Sequence, residues 1–345
     1  MSQRLFPKLA LLALVLGLAR GAAAQDRVIP LKGTTTSGTV TGMSPEKITV
    51  DVAGTPRELA VNEINKVVYS DEPIELTRIR DQVIAGQIEQ ANEELKKLNA
   101  DSIQRDVVKQ DVEFYKAYCQ GKLALQGNGN PVTADAAMMA FFRTNRGSYH
   151  AFRAAELLGQ LANAQGNYAE AAKRFKFIGQ APWADYRLKA NVLEARALSA
   201  AKSFPEALER YNEIIQSPET SPEVNRQKLF ATVGRAVCQA ETGKADEALK
   251  ALETVIKDND AKDSLLFAYT YNALGNCYLK LDKPKEARLA FLRTHLLFNG
   301  DADAHAESLS NLAKLWADAA KPDRALAAKN LLKERYPASP WSKIQ

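Results

Sequence analysis

A frame of small and large residues, recurring at nearly fixed spacing, constrains this chain more than any other feature. Between Tyr271 and Phe291 the order is Tyr271, Leu274-Gly275, Tyr278, Ala287, Phe291. The frame returns upstream as Leu158-Gly159, Gly166, Tyr168, Ala171, Phe175, and downstream as Leu312-Ala313, Trp316, Ala325, Pro337. The glycine and alanine mark the places where two helices touch closely, with a large side chain filling the space beside them. A two-helix unit of this kind cannot bury its apolar face alone. Its copies must stack, and stacking generates an extended concave surface.

These offsets reproduce the tetratricopeptide pattern W-x2-L-G-x2-Y followed by A-x3-F, and the chain resembles that family. The resemblance implies a mainly α fold, a solenoid of antiparallel helix pairs. Further pairs centre on Ala207 and Ala248. The marker alanines Ala171, Ala207, Ala248, Ala287 and Ala325 stand 36, 41, 39 and 38 residues apart, more than the ~34 of the ideal repeat. Longer connections and local irregularity are therefore expected. Glu194 and Arg235 occupy the slot usually held by leucine, which predicts a longer helix or a shifted register in those repeats. A degenerate first pair is read over Leu76 to Leu98 and a second over Val107 to Phe142. The latter is interrupted by Gly127-Asn128-Gly129-Asn130-Pro131, read as a flexible insertion. Pro337 and Pro340 can both stop the final helix.

Residues 27–70 follow a different rule, with Val, Ile and Thr alternating at period two between turn residues. Strands are predicted at Val28 to Lys32, Ser37 to Met43, Lys47 to Val52, Arg57 to Val61 and Lys66 to Tyr69. So small a module has a marginal core, and docking on the first helices is expected to support it. The run from Leu31-Lys32-Gly33 through Ala60-Val61-Asn62-Glu63-Ile64 to Tyr69 resembles the closing half of Sm-like and SH3-like barrels, which implies a small β-barrel. Gly42 to Glu46 does not match the RNA-reading motif of the Sm family, so no nucleic-acid partner is expected. The division read from the sequence is a signal peptide over 1–24, a β-barrel over 25–72 and helical repeats over 73–345.

The first segment has a basic start at Arg4 and Lys8, an apolar core from Leu9 to Ala19, and an Ala22-Ala23-Ala24 site before Gln25. That is the form of an export signal, with cleavage expected after Ala24 and a periplasmic or secreted product. No later segment reaches the ~20 apolar residues of a membrane span, so no stable membrane anchor is expected. Of the formal charge of +5, Arg4, Lys8 and Arg20 account for the larger part, and the remaining charges are of both signs and interspersed. That balance carries no nucleic-acid or anionic-membrane footprint. The odd number of cysteines, Cys119, Cys238 and Cys277, argues against a disulfide framework. Cys238 and Cys277 fall at small-residue repeat positions and are read as core filler.

His150, His295 and His305 form no zinc motif, and no catalytic or phosphate-binding pattern occurs. No cofactor, metal site or catalytic residue is assigned. Asp301 and Asp303 have a calcium-like spacing, but Leu312 stands where a bidentate glutamate is required, so helix capping is the better reading. In the tetratricopeptide family, ligands lie in the groove lined by the first helix of each pair. Carried onto this chain, the resemblance selects Arg153, Glu156, Gln160 and Asn163 in one repeat and Tyr269, Asn272, Asn276, Leu279 and Lys280 in another. The function so implied is a non-enzymatic scaffold or adaptor binding a protein or peptide in the cell envelope. An envelope enzyme, a carbohydrate-binding accessory protein and a self-assembling scaffold are the rival readings.

Overall fold

Alternating β-branched residues ahead of residue 70 and helical periodicity behind it produce two kinds of layer. The structure, a computed structural model, describes residues 25–343. Strands β1 (Asp26–Pro30), β2 (Thr36–Met43), β3 (Lys47–Val52), β4 (Thr55–Ala60) and β5 (Ile64–Val68) pair antiparallel in the order β4-β3-β2-β1-β5. Val28, Val40, Ile48, Val50 and Val67 point into a core, as period-two alternation requires.

The expected barrel does not close. β4 and β5 are the two edges of an open sheet, each with a neighbour on one side only. The composition of β4 explains this. Thr55, Pro56, Arg57 and Glu58 are all exposed, and an edge carrying proline and charge has no apolar face to gain by curling onto β5. Helices cover the sheet instead. Its buried valines and isoleucines form one continuous apolar cluster with Leu76, Ile79 and Val83.

The repeats begin with α1 (Ile74–Ile84) and α2 (Ile88–Lys97), then α3 (Asp106–Leu125) and α4 (Pro131–Thr144). Five further pairs follow: α5 (Ala151–Ala164) with α6 (Tyr168–Ile178), α7 (Ala184–Ala200) with α8 (Phe204–Gln216), α9 (Pro222–Glu241) with α10 (Ala245–Asp258), α11 (Ser264–Lys280) with α12 (Pro284–Leu297), and α13 (Ala302–Asp318) with α14 (Pro322–Arg335). A short α15 (Pro340–Lys343) closes the described residues. Odd-numbered helices pack on their even partners and beside one another, as α3 on α5, α7 on α9, α9 on α11 and α11 on α13.

Small residues sit where the frame put them. A Cβ added to Gly159 would lie 2.2 Å from the Phe175 ring, and one added to Gly275 would lie 2.7 Å from Phe291. Ala171, Ala207, Ala248 and Ala287 are fully buried, whereas Ala325 is only half-buried because no further pair covers α14. In the drifting repeats the register holds. Ala195 and Ala236 fill the close-contact slot, with Glu194 and Arg235 half-buried beside them. The irregularity is taken up in length, α9 running to 20 residues against 14 for α5.

Most tight turns within a pair pass through one left-handed residue. Gly86, Gly166 and Gly243 do so freely, while Lys202, Asp282 and Ala320 do so with a side chain, at a strain of ~1–2 kcal/mol each. Cys119, Cys238 and Cys277 are buried and unpaired.

Two charged networks tie the sheet to the helices. Asp26 at the start of β1 accepts both arms of Arg105, at 2.8 and 2.7 Å, together with the backbone amides of Val40 and Ser70. Deeper in, Arg80 on α1 is 0% exposed and donates to Asp111 on α3 at 2.7 Å and to Glu72 at 2.5 Å. His150 Nε2 lies 2.9 Å from the same Asp111 carboxylate, and its ring stacks on Phe114. Burial holds the His150 imidazole down to about 4 despite that carboxylate.

Candidate functional site

The odd-numbered helices form the inner wall of the solenoid, and their curvature brings distant repeats together. Arg196 on α7 reaches Asp303 on α13 at 3.5 Å. At the rim, the interrupting segment of the second pair meets the end of α14: a Cβ on Gly127 would lie 2.0 Å from the Arg335 carbonyl oxygen and 2.8 Å from Pro337. This segment is therefore not the flexible insertion expected. Asn130 caps α4 by accepting from Val132 N at 2.8 Å, and Asn128 donates to Glu89 at 2.9 Å. Glycine is needed at 127 both for its φ of +90° and for the closeness of the α14 backbone.

Three cavities lie along the inner wall. One of about 400 Å³ is bounded by α5 and α7 and by Leu31, Asn62 and Asn65 from the β module. A second, about 220 Å³, is bounded by Lys122, Arg196, Tyr269, Asp301 and the chain end at Tyr336 to Pro340. A third, about 660 Å³, lies among α7, α9, α11 and α13, with Trp341 along one side.

Most groove residues named from the sequence line these cavities, and nearly all are already engaged. Arg153 lies over the rings of Tyr118, at 4.9 Å, and Phe114, at 5.3 Å. Glu156 accepts from Lys189 at 2.6 Å and Gln160 from Lys122 at 3.2 Å. Asn163 Oδ1 is buried without a hydrogen-bond partner among the described residues. Tyr269 donates its hydroxyl to Asp301 at 2.9 Å while the Arg196 guanidinium sits 3.8 Å over its ring. Asn272 Nδ2 donates to Ala304 O at 2.8 Å and to Glu307 at 3.0 Å; Asn276 Nδ2 donates to Glu307 at 2.8 Å. Lys280 pairs with Glu241 at 2.8 Å. Leu279 is 37% exposed, and neither it nor Lys280 lines any of the three cavities.

Several residues of this wall carried no signal in the repeat frame. Arg196 belongs to the repeat whose first helix departs from the pattern, and Glu307 is recruited from α13 by the asparagines of α11. Burial, with the charge of Asp303 nearby, pushes the Glu307 carboxyl up to about 7 against the two amide hydrogen bonds that oppose it. Asp303 is open to water inside the groove yet ringed by protein; this enclosure, added to by Asp301 nearby, raises its carboxyl, and Trp341 Nε1 donates to it at 3.1 Å. Asp301 caps α13 by accepting from Ala304 N at 3.0 Å, as its position predicted.

Neither a protein-family model nor a curated protein matches the sequence. Solved structures do share its fold. A tetratricopeptide repeat protein from Parabacteroides merdae is similar at 14% identity and a TM-score of 0.51, covering 78% of this chain and 96% of the other. A Rap protein solved with Competence and Sporulation Factor is similar at 13% identity and a TM-score of 0.53, covering 78% and 76% respectively. The fold is thus that of a tetratricopeptide-like α-solenoid, preceded here by an antiparallel sheet.

Proposed function

We propose that this chain is an exported, non-enzymatic adaptor that binds a protein or peptide segment along the inner wall of its solenoid. The observation that carries this reading is the row of three cavities faced by Arg153, Glu156, Gln160, Asn163, Tyr269, Asn272 and Asn276, at which Asn163 and Asn272 each hold a buried carbonyl oxygen without a partner among the described residues. An extended segment carries N–H donors of the kind those oxygens lack. The Rap neighbour, bound to Competence and Sporulation Factor, shows that this fold class can accommodate a ligand. The β module supplies part of the wall of the first cavity and belongs to the same surface.

Residues 1–24, which carry the export reading, lie outside the described residues. Cleavage after Ala24 would leave Asp26, buried and held by Arg105, at the start of β1. An intact mass beginning at Gln25 in a periplasmic fraction supports export; a product retaining Met1 refutes it. For binding, a partner captured from envelope extract is titrated against Asn276→Ala, Asn163→Ala and the outward-facing control Lys285→Ala. Losing a central contact weakens binding by about 1–2 kcal/mol. Groove variants that bind like the control would remove the inner wall as the site.

A further inference from the structure

The largest of the three cavities carries charges of both signs: Glu241, Asp303 and Glu307 line it together with Arg196, Lys202 and Lys314, and the two lysines are exposed and make no ion pair with Glu307 among the described residues. Asn272 is 1% exposed, and both of its amide N–H groups are used, one on the Ala304 carbonyl and one on Glu307. The Ala304 carbonyl only accepts, so the amide can point only one way. Its Oδ1 is left buried with no partner among the described residues. Each carboxylate oxygen of Glu307 holds one neutral amide hydrogen, from Asn272 and from Asn276, and keeps a lone pair free. The Arg196 guanidinium acts on Glu307 only at a distance, since its direct contacts are Asp303 and the face of Tyr269. The fully buried Tyr211 hydroxyl at the same cavity also lacks a partner among the described residues.

A buried acceptor left unpaired costs about 1–3 kcal/mol, and a charged one costs more. An apolar occupant would leave that deficit in place, and an anionic one would set its charge against the buried oxygens of Glu307 and Asn272. An ammonium or guanidinium group brings several donors and a positive charge to the buried oxygens together. Trp341, on the cavity wall, offers a ring of the kind that such a cation and its alkyl stem pack against. We propose that this cavity receives the lysine or arginine side chain of a bound peptide, with the Glu307 carboxylate and Asn272 Oδ1 accepting from the cationic head. The proposal rests on the reading of the inner wall as a peptide site and specifies which peptides it selects.

The test uses the full chain and four fluorescent hexapeptides that differ at one position of an alanine-serine background, carrying arginine, lysine, citrulline or glutamate. Anisotropy titration is expected to show the arginine and lysine peptides binding at least about tenfold more tightly than the other two. Glu307→Gln, which preserves shape and keeps a carbonyl acceptor, is expected to shrink the preference for arginine over citrulline to within about twofold. Equal binding of all four by wild type, or tightest binding of glutamate, overturns the cation preference and leaves the peptide groove standing. No binding of any peptide at millimolar concentration removes both. The wild-type comparison of arginine with citrulline needs no variant and decides the matter even if Glu307→Gln folds poorly.

Discussion

Arg80→Met is the most severe single test of how the sheet and the first repeats are joined. The substitution preserves most of the stem's volume and deletes a guanidinium that is 0% exposed, leaving the carboxylates of Glu72 and Asp111, 2% and 1% exposed, without their cation. Breaking a buried pair by removing one partner costs about 3–5 kcal/mol, because the remaining charge is stranded in a poorly solvating interior. Two stranded carboxylates argue for the upper half of that range. Asp111 keeps the His150 hydrogen bond and Glu72 keeps those from Tyr69 N and Thr77 Oγ1, so the loss stops short of a doubled penalty. At about 2–4 °C per kcal/mol for chains of this order, melting should fall by roughly 8–20 °C. Urea unfolding followed by circular dichroism measures the change, and hydrogen exchange should place the first loss of protection in β5, α1 and α3. Adding Glu72→Gln and Asp111→Leu should recover part of the stability, since the charges that need Arg80 are then gone. A melting temperature within about 2 °C of wild type would refute the claim that this network is dry and mutually dependent.

Gly159→Ala tests the repeat register. The new methyl would sit 2.2 Å from the Phe175 ring, itself fully buried, so overpacking of about 1–3 kcal/mol should outweigh the ~1 kcal/mol that alanine gains in a helix. Gly147→Ala, with no atom near its Cβ position, is the control, and equal melting of the two variants would contradict the assigned helix contact. Glu307→Gln should raise stability at neutral and higher pH. The folded carboxyl titrates at about 7 against 4.5 for the ordinary group, so the folded state holds its proton more tightly, and stability is lost as pH rises from about 4.5 to about 7. Glutamine removes that loss, worth on the order of 3 kcal/mol above pH 7 and nothing below about pH 4. A variant equally stabilised at both ends of that range would show that the gain has another origin.

The sequence made the repeats legible because close helix contact admits few residues. Gly159, Gly275 and the buried alanines sit where side chains of the facing helix leave no room, and the spacing survives wherever the contact does. Strand positions were legible for the same kind of reason, since one face of β3 must stay dry while Thr49 and Asp51 remain only partly buried. The open sheet was less so. Sm-like and SH3-like chains share its turn pattern, but closure depends on whether β4 has apolar surface to bury, and Thr55 to Glu58 have almost none.

The inner wall was legible only as a list of positions and not as chemistry. The frame places Asn272 and Asn276 on one face of α11, but it is the approach of α13 that turns their amides onto Glu307 and strands the Asn272 carbonyl. Curvature is the missing quantity, because it sums small rotations over every pair, and no single repeat encodes it. The same curvature carries Gly127 onto the end of α14 and Arg196 onto Asp303. Residues with no place in the repeat pattern thereby become neighbours. A wall that buries a carboxylate without an ion pair and a carbonyl without a donor among the described residues is less stable than one fully paired, and such deficits are what binding sites retain. The Glu307→Gln variant therefore tests both sides of one argument, since the stability it gains and the cation preference it loses should come from the same carboxylate.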